Sequence, residues 1–363
     1  MVGAVVVAEG EAVGSGWHRR VGGPHAEVEA LAAAGARARG ATLYVTLEPC
    51  AHHGRTPPCA DAVVAAGIAR VVACHGDPDP RVAGRGFARL RDAGIEVEVG
   101  PLAAAAARLN LRFLVAATER RPQVTLKWAM SLDGRIATAA GESQWISSPR
   151  ARRWALALRE EHDATLVGSG TVLADDPRLD RRLGLAGRPG LRVVLDRRLR
   201  LAAWAASAPA GAPRRLFTVA DPLLIYTSAV TITAAGAIAA AGAAGQIPEF
   251  PGTSEIVALP AVEPAAVLAD LYERGVRSVL VEGGAEVLAS FAASGLYDRV
   301  AVVCAPLLIG GRNAPGPLGG AGAATLAEAR RLDHLQVQHR GGDLIVEALR
   351  QGSLEQLLAC IEV

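Results

Sequence analysis

The chain has 363 residues, 51% of them hydrophobic, with 38 basic against 36 acidic side chains and a net charge of +2. That length allows two ordinary domains, each with its own core, and the composition excludes an intrinsically disordered chain. The balanced charge excludes the electrostatic footprint of a nucleic-acid-binding protein, and five scattered cysteines make no disulfide framework, so a reducing cytoplasm is expected.

Residues 2–8 read as a short apolar strand and 12–18 as its hairpin partner. No basic stretch precedes them, and the run is too short for a signal peptide. Residues 25–38 carry Val28, Leu31 and Ala32 at helical spacing. A buried strand follows at 41–47, a helix with proline in its first turn at 57–66, a strand at 69–74, a helix at 86–93 and a strand at 95–99. Strands alternating with helices imply a sheet covered by helices. Around 116–122 the pattern breaks in a polar stretch closed by Pro122, which places the domain boundary there.

A second α/β series then begins, with strands at 123–127, 164–167, 191–196, 223–227, 278–282 and 299–304 and helices at 149–161, 264–274 and from Ala285. No period of 20–50 residues repeats, which excludes a solenoid. The Ala/Gly-rich stretch at 234–245 is not hydrophobic enough to span a bilayer, so no membrane is expected as a partner. Cys74 and Cys304 end apolar strands and are expected in the core.

The chemistry concentrates in Pro24-His25-Ala26-Glu27, Glu48-Pro49-Cys50 and Cys59. An imidazole and two thiolates suit zinc, and three protein ligands leave a fourth position for water, whose pKa zinc lowers to about 7. Glu27, two residues after His25 near a helix start, points past the metal toward that water. The order H-x-E, then P-C, then C is the zinc-deaminase signature, in which the glutamate is the acid/base group. Cys59 lies near the next helix start, where the dipole favours thiolate. Eight residues separate the cysteines, and the insert holds His52, His53 and Arg55; Arg55 would offer an anionic substrate a bidentate partner. In the second half, the strand at 278–282 runs into Gly283-Gly284 and a helix, an arrangement that lets backbone approach a phosphate.

The strings PHAEVEAL, YVTLEPC and CAHHGRTPPC, followed by Lys127-Trp128-Ala129-Met130-Ser131-Leu132-Asp133-Gly134-Arg135, GESQWIS, GSGTVLADDPRL and LVEGGAEVL, closely resemble the bifunctional deaminase–reductase family of riboflavin biosynthesis over nearly the whole chain. The resemblance implies a cytidine-deaminase-like three-layer domain over 1–117, a dihydrofolate-reductase-like domain over 118–351 and a tail over 352–363. It implies a zinc hydrolase and an NADPH-dependent oxidoreductase in one chain. The small-molecule substrate is 2,5-diamino-6-(5-phosphoribosylamino)pyrimidin-4(3H)-one, deaminated and then reduced from ribosyl to ribityl. A homo-oligomer is expected.

Carried over position by position, the family's cofactor contacts fall on Ala129, Trp145, Thr171, Asp175 and on Gly284, Ala285, Glu286, Val287, Leu288, Ala289 and Ser290. Its substrate contacts fall on Ser143, Arg159, Leu179, Arg182 and Glu282, and Lys127 and Asp133 sit in its most distinctive string. No general acid for the hydride step is assigned. The family carries a further helix and a Pro-Asn-Pro turn ahead of residue 2, and deamination is expected to lean on them. Arg197 stands where the family has a cofactor-contacting serine, and the tail looks foreign to it, with Leu354, Leu357, Leu358 and Ile361 at the spacing of a docking helix. Two other readings are a deaminase of another base with a degenerate second domain, and an assembly module whose structural zinc takes His52 or His53 as fourth ligand.

Overall fold

The structure is a computed structural model and describes residues 1–20, 22–54, 56–209, 212–233, 250 and 253–361. It divides into two compact units, Met1–Arg120 with Gly352–Val363, and Arg121–Gln351. Arg55 and the 234–245 stretch lie outside the described residues; among those described, no helix is long and apolar enough to cross a membrane.

The first unit is built on a five-stranded sheet, order β2-β1-β3-β4-β5. β1 (Gly3–Ala8) and β2 (Glu11–Trp17) form a hairpin through Glu9-Gly10, both at positive φ, the backbone a tight two-residue turn needs. β3 (Thr42–Val45) runs antiparallel to β1, and β4 (Arg70–Ala73) and β5 (Glu96–Val99) continue parallel to it. Helix α1 (Ala26–Ala34) packs on the hairpin, α2 (Cys59–Ala66) on α1, and α3 (Arg85–Asp92) on α2 and β5. The helix expected to reach residue 38 stops at Ala34, because Gly35 turns to φ +55 and the chain continues as a 3₁₀ turn. α2 starts at Cys59, not 57, since Pro57 and Pro58 lead into it and Pro58 is its N-cap.

Helices α4 (Ala103–Leu109) and α5 (Leu111–Thr118) were invisible in the pattern, because the alanine run leading into them has no apolar periodicity. The tail does form a helix, α11 (Ser353–Ala359), and docks on α4 and α5 with Leu354, Leu357 and Ile361 buried. Leu357→Ala is therefore expected to cost about 2–4 kcal/mol in chemical denaturation of this unit, as for other buried leucines. A loss under about 1 kcal/mol would mean that the helix contributes no packing.

The second unit is a nine-stranded sheet, order β10-β9-β8-β7-β11-β6-β12-β14-β13. β6 (Gln123–Ser131), β7 (Ala164–Gly168), β8 (Leu191–Leu195), β9 (Leu223–Ser228), β10 (Ser254–Leu259), β11 (Ser278–Val281) and β12 (Arg299–Ala305) are mutually parallel. β14 (Asp343–Arg350) and β13 (Leu332–Arg340) close one edge as an antiparallel hairpin. Helix α6 (Pro149–Glu161) begins with Pro149 in its first turn and with the Ser148 hydroxyl accepting the Ala151 N–H at 3.3 Å. α7 (Ser169–Asp175), α8 (Arg200–Ala206), α9 (Pro264–Glu273) and α10 (Ala285–Ser294) follow β7, β8, β10 and β11. The core is aliphatic, with Val124, Leu126, Leu166, Val193, Val279 and Val281 all buried. β13 escaped the sequence pattern because it is an edge strand exposed along most of its length.

Candidate active sites

In the first unit the first of the candidate metal ligands, His25, is placed by a close helix–strand contact. A Cβ on Gly14 would fall 2.3 Å from the Ala30 carbonyl oxygen, and one on Gly16 2.5 Å from that of Ala26. Only glycine lets α1 lie this close on β2. His25, extended at φ −76, is the N-cap of α1 and Glu27 is in its first turn. Cys50 follows β3, and Cys59 opens α2. His25 Nδ1 lies 3.0 Å from Cys59 Sγ and 3.6 Å from Cys50 Sγ, and the three ligand atoms all fall within 4.8 Å of one another. Tetrahedral zinc with the usual bond lengths needs separations of roughly 3.5–3.8 Å. The donor set and its spacing fit that ion.

Glu27 is 3% exposed, and its Oε2 is buried without a hydrogen-bond partner. Burial above all, reinforced by the nearby Cys50 thiolate, pushes its carboxyl up to about 7. The hydrogen bond with Cys59 holds the Cys50 thiol down to about 5, while sharing that bond and burial push Cys59 up. Among the described residues neither His52 nor His53 joins the three-residue cluster, so the structural-zinc reading finds no fourth ligand there. Thr56 Oγ1 approaches His25 Nε2 at 3.5 Å.

Sequence reasoning missed what holds Cys50 in place. The Glu48 carboxylate, 3% exposed, accepts four backbone N–H groups: Asp77 at 3.1 Å and Gly84 at 3.0 Å on Oε2, Gly86 at 2.8 Å and Phe87 at 3.3 Å on Oε1. Gly86 is obligatory, because a Cβ there would fall 1.9 Å from the Pro49 carbonyl oxygen. The one signal available was a charged residue wedged between an apolar strand and a metal ligand. Cys74 and Cys304, expected in the core, are only half-buried, since both sit where their strands end.

The second unit contains a cavity of about 1170 Å³ along the C-terminal ends of β6, β7, β8 and β11, where open parallel sheets bind ligands. Of the positions expected to touch cofactor, Ala129, Trp145, Thr171, Asp175, Gly284, Ala285, Glu286, Val287, Leu288 and Ser290 line it. Ala289 is absent from the wall and its Cβ lies 3.9 Å from where one on Gly320 would be. Ser143, Arg159, Leu179, Arg182, Glu282 and Lys127 line the same cavity. Asp133 instead accepts the Ser131 hydroxyl at 2.6 Å and the Ile309 and Gly310 N–H groups at 3.0 and 2.7 Å, a loop-fastening role.

At the β6 side Arg159 forms a two-bond ion pair with Glu282, at 3.0 and 2.6 Å, with both side chains almost buried. Burial alone would push Glu282 up, but Arg159 and then Lys127 overcome it and hold the carboxyl at about 2. Burial lowers the pKa of Lys127. Lys127 is the only lysine in the chain, a signal the sequence carried openly. At the β11 turn, Cβ atoms on Gly283 and Gly284 would fall 3.0 and 3.2 Å from Thr171 Oγ1, so both glycines permit a tight approach, and Gly284 also needs φ +72.

Comparison with known proteins covers both units. Residues 122–346 match the RibD C-terminal domain family, and residues 1–75 match the cytidine and deoxycytidylate deaminase zinc-binding region. The riboflavin biosynthesis protein RibD of Aquifex aeolicus is 40% identical over 345 residues, covering 95% of this chain and 90% of the relative. That of Escherichia coli is 40% identical over 366 residues, covering 94% and 91%. The crystal structure of a diaminohydroxyphosphoribosylaminopyrimidine deaminase/5-amino-6-(5-phosphoribosylamino)uracil reductase from Thermotoga maritima superposes with a TM-score of 0.78 at 35% identity, covering 96% of this chain and 91% of that one. Acinetobacter baumannii RibD gives a TM-score of 0.75 at 35% identity, covering 96% and 92%.

Proposed function

The chain belongs to the RibD family of riboflavin biosynthesis, and from that premise we propose that it performs both reactions named for the Thermotoga relative. The first is hydrolytic deamination of 2,5-diamino-6-(5-phosphoribosylamino)pyrimidin-4(3H)-one, and the second is NADPH-dependent reduction of its ribosyl chain to ribityl. The observation that carries the reading is a three-ligand metal site with a buried glutamate in the same chain as a cavity lined by the family's reductase positions.

Zinc, when bound, supplies water activated at neutral pH. His25, Cys50 and Cys59 would hold it. Glu27 takes a proton from that water at a carboxylate oxygen, then returns protons to the ring nitrogen and to the departing amine. The C–N bond breaks, ammonia leaves, and the oxygen of the water replaces the amino group as a carbonyl on the same ring carbon. A carboxyl held near neutrality by burial is matched to taking and giving a proton. Arg55, in the insert between the cysteines, remains the candidate for the substrate's phosphate.

In the second unit NADPH supplies the hydride. The Gly283-Gly284 turn and the first N–H groups of α10 would receive its pyrophosphate, and Thr171 and Asp175 line the same cavity. Ser143, Leu179, Arg182 and the Arg159–Glu282 pair orient the ribosyl chain. Lys127 adds a compact ammonium to the same cavity wall as that pair, a point charge and not a planar fork. Lys127→Arg keeps the charge yet is expected to slow reduction about 10²-fold by misplacing the substrate, with ammonia release unchanged. Following NADPH consumption and ammonia release separately checks this, and unaltered reduction would remove Lys127 from the site. Failure of the zinc-loaded chain to release ammonia would remove the first reaction itself.

We further propose a cytoplasmic homo-oligomer with neither nucleic acid nor membrane as partner. All five cysteines are free, and the edge strand β13 exposes Leu335 and Val337, which a second copy would cover.

A further inference from the structure

The loop that joins α7 to β8, residues 176–190, has no regular secondary structure, and irregular stretches of that length are uncommon in compact domains. It carries Leu179 and Arg182 into the cavity wall, and Leu179 is buried at φ +60. A residue with a side chain keeps that backbone only where its surroundings over-determine it. Arg182, its side chain 40% exposed, pairs with Asp180 of the same loop at 2.6 Å.

The end of α6 supplies the anchor. Glu160, in the last turn of that helix, is 9% exposed, and its two oxygens accept the Leu183 N–H at 2.9 Å and the Ala186 N–H at 3.0 Å. A buried carboxylate at that end opposes the helix dipole, and the two amide donors offset the cost. Arg181 reaches the other way. Its Nε donates to the Arg159 carbonyl oxygen at 2.9 Å and its Nη2 to that of His162, at the helix end where partners within the helix run out. Its Nη1 donates to the Arg188 and Pro189 carbonyl oxygens at 3.2 Å and so gathers the far end of the loop to the same point. A Cβ on Gly190 would fall 3.0 Å from Arg181 Cγ and Nε, so glycine there leaves room for the side chain. The charges facing Arg181 are the Glu160, Asp163 and Asp221 carboxylates and, opposing them, Arg188, which is itself paired with Asp163.

Arg159 belongs to both sets of contacts. Its main-chain oxygen receives Arg181, while its side chain pairs with Glu282. The substrate contacts on the helix and those on the loop are therefore fastened to each other at one residue. Neither Glu160 nor Arg181 is among the described residues that line the cavity, so any effect they have on the reaction passes through the loop.

We propose that Glu160 and Arg181 are positioning residues for the reduction: they clamp the 176–190 loop to α6 and so set Leu179 and Arg182 against the Arg159–Glu282 pair before the substrate arrives. This rests on the reading of the cavity as the reductase site, and the experiment separates the two. A loose loop lowers apparent affinity by the fraction of time it is misplaced, without changing the bound complex. The effect therefore falls on KM and spares kcat. It also falls on one substrate only, because the Gly283-Gly284 turn lies on other elements, between β11 and α10.

Steady-state kinetics of the full chain and of Glu160→Ala would vary NADPH and 5-amino-6-(5-phosphoribosylamino)uracil separately, alongside hydrogen exchange of residues 177–190. Glu160→Ala is expected to raise KM for the uracil substrate about tenfold, within the 10²-fold that misplacement by an ångström can cost. The kcat and the KM for NADPH should stay within about twofold of the parent, and exchange in the loop should rise. Glu160→Gln keeps one acceptor oxygen and should raise the same KM about threefold. Faster exchange in the loop with a parental KM for the uracil substrate overturns the proposal, because the clamp would then be structural alone. An equal rise in both KM values also overturns it, since the clamp would then shape the whole cavity. Should Glu160→Ala lose the fold of the unit, Glu160→Gln and Arg181→Lys carry the test, and a parental KM for the uracil substrate in both overturns it. A parent chain that consumes no NADPH with the uracil substrate removes the reductase reading itself, and this one with it.

Discussion

Glu27→Ala is expected to hold one zinc per chain and to release ammonia about 10²–10⁴-fold more slowly than the parent, the usual contribution of a positioned acid/base group. The ligand atoms come from His25, Cys50 and Cys59, so nothing in the substitution removes a metal bond. What it removes is a carboxylate that is 3% exposed, has one oxygen without a protein partner and is held near neutrality by its burial. Such a group gives the fold little, which makes the loss of rate separable from loss of structure. Metal content by mass spectrometry, ammonia release, and reduction of the pre-deaminated substrate as an internal control complete the test. Ammonia release at the parental rate would exclude Glu27 as the proton carrier, and loss of zinc would recast it as a support of the ligands.

The second large effect concerns stability. Glu48→Leu should cost the first unit roughly 4–5 kcal/mol, because four backbone N–H groups lose their acceptor in a buried place and each orphan donor costs about 1 kcal/mol or more. That is comparable with the whole stability of an ordinary domain. The loop from Asp77 to Phe87 would detach from the strand end that carries Cys50, and zinc affinity should fall with it. Glu48→Gln keeps an acceptor oxygen but turns an NH₂ toward one pair of donors, so an intermediate cost is expected. Hydrogen exchange resolved by unit is the measurement of choice: the second unit should be untouched. A Glu48→Leu protein with parental exchange in residues 77–87 would show that the carboxylate pins nothing.

The metal site was legible because its identity is carried by residue type and short spacing. His25 and Glu27 sit two apart at a helix start, and a proline-cysteine pair follows a strand; few other chemistries need that combination. Most strands were legible for the same local reason, since a buried parallel strand such as β11 reads as an unbroken apolar run, whereas β10, β13 and β14 were not read. Where such runs were lacking, as in the alanine stretch leading into α4 or the exposed edge strand β13, the pattern was silent.

By itself the sequence singled out His25, Cys50 and Cys59 as a donor set suited to zinc, which the fold brings together, and marked Glu27 and the Gly283-Gly284 turn as candidates for proton transfer and phosphate approach. Only the tertiary structure decided that Glu48 spends its charge on four amides up to 39 residues away, that Asp133 fastens a loop 176 residues on, and that Arg197, Arg198 and Arg200 after β8 line the cavity. Local spacing records helix faces and strand alternation, whereas these contacts depend on which segments packing brings together and on which charges burial leaves unmatched.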